Sequence, residues 1–191
     1  MKKKITFILC FILGISSSAL AWKNTIFTHR DNYYKTLKQF TRHDNDISID
    51  NLSAKLQWYA TYKSPDFTVA FRDFYQELYP HQPANLANQR AQPWLNDSSQ
   101  AEFFVAIYAS SRDLEKLDQD SLWDLSLRLG NQIYKPTRIE KIKATSFEKK
   151  FFPYTEAWHQ TYRVVFAARP NASESLDLQI QGAGGISTLH F

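Results

Sequence analysis

The stretch Trp123-Asp124-Leu125-Ser126-Leu127-Arg128-Leu129, followed at once by Gly130-Asn131, decides the fold class. Apolar and polar side chains alternate along it, the period-two pattern of a strand with one buried face. The Gly-Asn pair is a two-residue hairpin signal. Gln132 to Tyr134 supply the returning strand before Pro136. Working outward, Tyr162, Val164 and Phe166 alternate in the same way, as do Leu176, Leu178 and Ile180. Phe103 to Tyr108 is a continuous apolar run short enough for a buried strand. Arg138 to Lys143 is a weaker candidate, and Ile186 to Phe191 follows the turn Gly182-Ala183-Gly184-Gly185. Upstream, Leu52, Ala54, Leu56, Trp58, Ala60 and Tyr62 make the longest alternation in the chain.

Helical signals are fewer. Ser64-Pro65-Asp66 combines an N-cap, a proline at the first helical position and an acid in the first turn. Behind it, Phe67, Ala70, Phe71, Phe74, Tyr75 and Leu78 share one helical face, and Tyr79-Pro80 ends the helix. Tyr33, Leu37 and Phe40 recur at helical spacing after the capping-box-like Thr28-His29-Arg30-Asp31. A second piece runs from about Ala84 to Ala91, and Ser146 to Phe151 reads as one helical turn. The polar stretches His43–Asn51 and Asn96–Ser99 read as loops. About seven strands, six of them after residue 100, predict an α+β, mainly β chain. The expected architecture is an immunoglobulin-like antiparallel β-sandwich with two or three N-terminal helices packed on it. The helices do not alternate with the strands, which argues against a parallel α/β sheet.

The N-terminus reads as an export signal. Lys2, Lys3 and Lys4 precede the apolar run Ile5–Ile15, and Ser16-Ser17-Ser18 leads into Ala19-Leu20-Ala21. This order of positive, apolar and small residues predicts cleavage between Ala21 and Trp22. The run is too short for a membrane span, which needs about 20 apolar residues. The expected division is a signal peptide over 1–21 and one globular domain over 22–191, helix-containing to residue 100 and β-rich from 101. The mature chain then carries 20 Lys and Arg against 19 Asp and Glu, and no cysteine, since Cys10 lies in the signal. A net charge near +1 removes the case for nucleic-acid attraction. A chain without cysteine has no disulfide framework and must be held by its core.

Phe152-Pro153-Tyr154 with Trp158, Tyr162, Val164 and Phe166 forms an aromatic set, joined by Trp123–Leu129 with its Gly130 turn, Thr41-Arg42 and Ala60-Thr61-Tyr62. In these residues the chain resembles a set of uncharacterised exported proteins and lipoproteins of Gram-negative bacteria. The resemblance implies no assigned activity and no catalytic residue. It departs from the lipoproteins in lacking a usable lipobox, because Leu9 precedes Cys10 within the apolar run.

No motif for catalysis is present. His-Glu-x-x-His spacing is absent. Ser187 follows Gly185 without the second glycine of a nucleophile elbow. The glycine cluster at 182–185 lacks the helix and lysine of a phosphate loop. Asp44, Asp46 and Asp50 begin like a calcium loop but lack its sixth-position glycine and closing glutamate. Glu115, Asp118, Asp120 and Asp124 read as a solvated turn. No catalytic residue, metal or cofactor is therefore expected. Two surfaces remain as candidates: Tyr154, Trp158 and His159 for partner binding, and His29, Arg30, Arg42 and His43 for an anion.

The expectation is an exported, periplasmic or secreted, non-enzymatic envelope protein. It would bind another envelope protein or a glycan, with no nucleic acid and no transmembrane segment in the mature chain. The alternatives are an exported hydrolase with dispersed catalytic residues and a small outer-membrane β-barrel.

Overall fold

The structure, a computed structural model, describes residues 30–48, 55–81, 100–109, 111–118, 121–170, 174–182 and 185–191. Among these, nine strands form two antiparallel sheets. The five-stranded sheet runs β1 (Thr41–Ser48), β2 (Lys55–Tyr62), β3 (Ala101–Tyr108), β7 (Gln160–Phe166), β6 (Pro136–Ile142). The four-stranded sheet runs β5 (Gln132–Tyr134), β4 (Trp123–Leu129), β8 (Leu176–Gly182), β9 (Gly185–His190). Three helices are described: α1 over residues 30–40, α2 over Pro65–Leu78 and α3 over Ser146–Phe151. None is long and apolar enough to cross a membrane.

Alternation builds the first core. Leu125, Leu127 and Leu129 of β4 meet Leu176, Leu178 and Ile180 of β8 across the register Leu125↔Ile180 to Leu129↔Leu176. The five-stranded sheet faces them with Leu56, Trp58, Phe103, Val105, Ile107, Tyr162, Val164 and Phe166, all buried. The two sheets thus pack face to face as a β-sandwich. At the β4–β5 hairpin Gly130 takes φ +53, a left-handed conformation that favours glycine. At the far end Gly182 lies so close to Trp123 that a Cβ there would stand 2.6 Å from its ring.

The opposite face of the five-stranded sheet carries the helices. Ser64 Oγ accepts from Phe67 N at 3.0 Å, Pro65 opens α2 and Tyr79 N closes it onto Tyr75 O. α3 is held by a capping box, with Thr145 N donating to Glu148 Oε2 at 2.8 Å. Phe71, Phe74, Phe151 and Phe152 bring these helices together over Phe104 of β3, and Tyr33 of α1 joins them by donating to Phe151 O at 2.7 Å.

Three expectations need correction. The stretch His43–Asn51 is not a loop as far as it is described: Thr41–Ser48 is a strand, paired with β2 and shifted in register between Asp44 and Ile47. β1 lies at the edge of its sheet, where a strand has less need of an alternating apolar face. The helical layer is not wholly N-terminal, because α3 comes from the second half of the chain. Glu115 is not solvated but buried, its carboxylate facing Ala109 N. The expected helix at 84–91, the loop at 96–99 and residues 49–54 lie outside the described residues.

β1 and β9 meet along one side of the sandwich. Trp58 Nε1 donates to Ser187 Oγ at 2.9 Å, and Ser187 Oγ donates in turn to Asp44 Oδ2. Arg42 Nε donates to His190 O at 2.7 Å. A buried indole N–H needs such a partner, and here the partner ties the two sheets together.

Candidate functional site

The outer face of the five-stranded sheet holds two polar groupings, one sealed and one open. The sealed one lies where β2 leads into α2. Strand alternation puts Lys63 on the same face as Glu102, with Lys63 N donating to Glu102 O at 2.9 Å. Lys63 Nζ donates to Glu102 Oε1, and Arg163 Nε and Nη2 donate to the two carboxylate oxygens at 2.6 and 2.8 Å. Burial pulls the Lys63 ammonium down to about 8, against the opposing pull of Glu102. The Lys63 side chain is fully buried, so this amine meets no solute and its role is structural.

The open grouping lies at the other end of the same face. Tyr59 of β2 carries the ring of Tyr154 stacked at 5.0 Å and that of His43 at 5.3 Å. The Tyr154 hydroxyl shares a hydrogen bond of 2.6 Å with Thr61 Oγ1, which is 2.7 Å from Thr41 Oγ1. Burial raises the Tyr154 phenol above its ordinary value. His159 stands edge-on to Tyr59 at 5.7 Å. Its ring is inside the protein, and its Nδ1 accepts from Glu156 N at 2.9 Å. That bond puts the proton of the neutral imidazole on Nε2, a buried atom with no hydrogen-bond partner. Burial lowers the His159 pKa, with Glu156 opposing. Trp158, between these two buried neighbourhoods and solvent, is 56% exposed.

A cleft of about 490 Å³ opens between the end of β6, α3 and the 156–160 turn, lined there by Ala157 and His159 but not by Trp158. Lys141, Lys143, Lys149, Glu156, His159 and Gln160 contribute to its walls. Three ammonium groups against one carboxylate make it electropositive. Among the described residues no group of three or more His, Cys, Asp or Glu could hold a metal ion.

The three aromatic candidates are therefore neighbours with different exposures. Trp158 faces solvent, His159 is buried and Tyr154 is half-buried with its hydroxyl engaged. The anion candidates do not converge where they are described. Arg30 lies over the Tyr34 ring at 5.8 Å. Arg42 and His43 occupy successive positions of β1 and so opposite faces, and the Arg42 guanidinium is spent on three carbonyls and the Phe191 ring. His29 lies outside the described residues. The lysines of the cleft were missed by sequence reasoning. Their signal is the charge run from Arg138 to Lys150, which by itself reads as a solvated edge. Lys63 and Glu102 were missed because each interrupts an apolar pattern at a strand end.

No family model matches the chain, and no curated protein does. Among solved structures the chain is similar to a protein of unknown function from Burkholderia pseudomallei. The TM-score is 0.51 at 11% identity, over 90% of this chain and 87% of that one. At that identity the likeness concerns the fold alone.

Proposed function

We propose that the protein is an exported, non-enzymatic binding module of the cell envelope that engages its partner through the surface around Trp158. The observation that carries this reading is Trp158 itself, a large aromatic exposed to solvent on a turn closed by hydrogen bonds between Glu156 and His159. Exposed aromatics on rigid supports are the anchors of recognition surfaces. The signal-like N-terminus supports export, with the mature chain starting at Trp22, and the resemblance to exported Gram-negative proteins supports an envelope location.

The strand order supports the immunoglobulin-like form of the sandwich. Taking β2, β3, β7 and β6 as strands A, B, E and D, and β5, β4, β8 and β9 as C′, C, F and G, gives the order of that fold, with β1 added outside A.

The test is photo-crosslinking from position 158 in the native envelope, together with N-terminal sequencing of the exported chain. One reproducible crosslinked species and a start at Trp22 are expected. Reproducible turnover by the purified protein in a hydrolase screen, lost on changing one acid or histidine, would overturn the reading in favour of an exported enzyme.

A further inference from the structure

We propose that the 156–160 turn is a pH-operated latch. Neutral His159 closes it and fixes Trp158 in place, and a proton taken up by His159 releases it.

The latch consists of two bonds between the same two residues. His159 N donates to Glu156 O at 3.2 Å, closing a four-residue turn with Ala157 and Trp158 at its corner. Glu156 N donates to His159 Nδ1 at 2.9 Å. Ala157 and Trp158 are exposed, whereas His159 is buried. The imidazole is thus the anchor that the turn sinks into the protein, and the indole is what the turn displays. Tyr59 of β2 and Tyr108 of β3 stand edge-on to the His159 ring at 5.7 and 6.5 Å and form its seat.

One protonation state fits this seat. Nδ1 needs its lone pair to accept from Glu156 N, so the neutral ring carries its proton on Nε2. A second proton has to go to Nδ1. There it would face the Glu156 N–H, donor against donor, and the bond would be lost. The far side of the ring offers no compensation, because Nε2 is buried without a partner. The neighbouring Thr155 hydroxyl is buried without a partner too, so it does not accept that N–H. An imidazolium in this seat would be a buried charge with neither donor paired. Leaving the seat puts the ring in water and frees Trp158 from its anchor. Histidine is suited to such a device, since its charge changes in the mildly acidic range.

The groups around the ring set where the change falls. Burial disfavours the imidazolium and Glu156 favours it, burial being the stronger, so the folded value lies below the ordinary 6.5. Lys141 and Lys143 at the end of β6 and Lys149 of α3 line the same cleft as His159 and add positive charge there. Tyr59, Tyr108 and Trp158 bring no charge below neutral pH. His43, exposed and stacked on Tyr59 at 5.3 Å, is the other imidazole on this face. The latch is therefore closed above 6.5 and opens as pH falls through the lowered value.

The test follows the mature chain by NMR from about pH 8 to about pH 5, with labelled imidazole nitrogens and 5-fluorotryptophan in place of tryptophan. At neutral pH His159 should be the Nε2–H tautomer. On acidification the Trp158 fluorine signal should move together with the His159 nitrogens, at one midpoint below 6.5. The signals of Trp58 and Trp123, both buried in the sandwich, should not move with it. Exchange protection of the Glu156 amide should fall about tenfold across the step. His159→Asn sets an acceptor that does not titrate near the place of Nδ1, and should abolish the Trp158 step. Glu156→Gln keeps the backbone donor and removes the carboxylate, and should keep the step at a lower pH.

An Nδ1–H tautomer at neutral pH would overturn the proposal, as would a Trp158 signal that ignores the His159 titration. So would a step that survives in His159→Asn, which would assign it to His43 or another group. Trp58 and Trp123 moving together with Trp158 would overturn it as well, since the whole domain would then be opening. If His159→Asn does not fold, the tautomer and the shared midpoint decide the matter in the wild-type chain. Loss of the latch by any of these results leaves the binding-module reading standing, because that reading rests on crosslinking from position 158.

Discussion

The two sides of the five-stranded sheet are packed by different means. Toward the other sheet the contact is largely aliphatic, with Leu127, Leu178, Val105 and Val164 interleaved around Trp58. Toward the helices it is almost wholly aromatic: Tyr33, Phe67, Phe71, Phe74, Tyr75, Phe104, Phe151 and Phe152 touch ring to ring. Phe104 and Phe152 stack at 4.1 Å, Tyr33 and Phe74 at 4.9 Å. The geometry explains the choice. Sheet on sheet needs two flat surfaces of even height, which branched aliphatics provide. Three helices resting on a sheet leave deeper, uneven gaps, and large rings fill them with few residues. Core formation by rings also suits a chain that carries no disulfide in its described part.

The largest expected effect breaks the sealed charge grouping beneath the helical layer. Glu102→Gln leaves Lys63 and Arg163 buried near each other without their carboxylate, and should cost about 3–5 kcal/mol by urea denaturation. Lys63→Met, which leaves the Arg163–Glu102 pair intact, should cost clearly less.

A paired comparison then sets the layers against each other. Phe151→Ala in the aromatic layer should cost about 3–5 kcal/mol, and Leu127→Ala between the sheets about 2–5 kcal/mol. Because β3 belongs to both layers, the helical signal and the tryptophan fluorescence should disappear together in each variant. Separate transitions in Phe151→Ala would show that the helices form an independent unit.

Ser64→Ala removes the N-cap of α2 and should cost about 1 kcal/mol, read as a shift in the urea midpoint at unchanged slope. The smallest effect is one of pH. The folded state disfavours protonated His159, so it binds fewer protons than the unfolded chain once pH falls below the ordinary imidazole value of 6.5. This group's contribution is complete above 6.5 and declines as pH drops from there toward the lowered folded value. The difference in stability between wild type and His159→Gln should therefore narrow between pH 7 and pH 5.

How much of this was legible depended on the distance over which a residue's partner lies. Trp123–Leu129 and its Gly130 turn declare strand, face and hairpin within nine residues, and the structure places β4 over the same residues. α2 announced itself through Ser64, Pro65 and its apolar face. β1 did not, because an edge strand has little need of alternation, and His43 and Asp44 look the same to a reader whether paired with Tyr59 and Trp58 or free. The candidate site was half legible. Clustered aromatics at 151–162 drew attention to Trp158, but the lysines that line the nearby cleft come from β6, its exit and α3, and only the fold brings them together with Glu156 and His159. Lys63, Glu102 and Arg163 are separated by 39 and 61 residues, and nothing local marks them as one group.

The seam between β1 and β9 has a consequence for how the protein behaves in a crowd. It turns two of the four sheet margins toward each other, so that among the described strands β5 and β6 are left as open margins. β5 has three residues, too short a template for a stranger's backbone. β6 begins at Pro136, carries a register shift there and displays Arg138 and Lys141. Those are the features that stop neighbouring molecules from adding strand to strand. Among the described strands, the seam and the two blunted margins leave no long bare edge on which a second copy of the chain could add a strand.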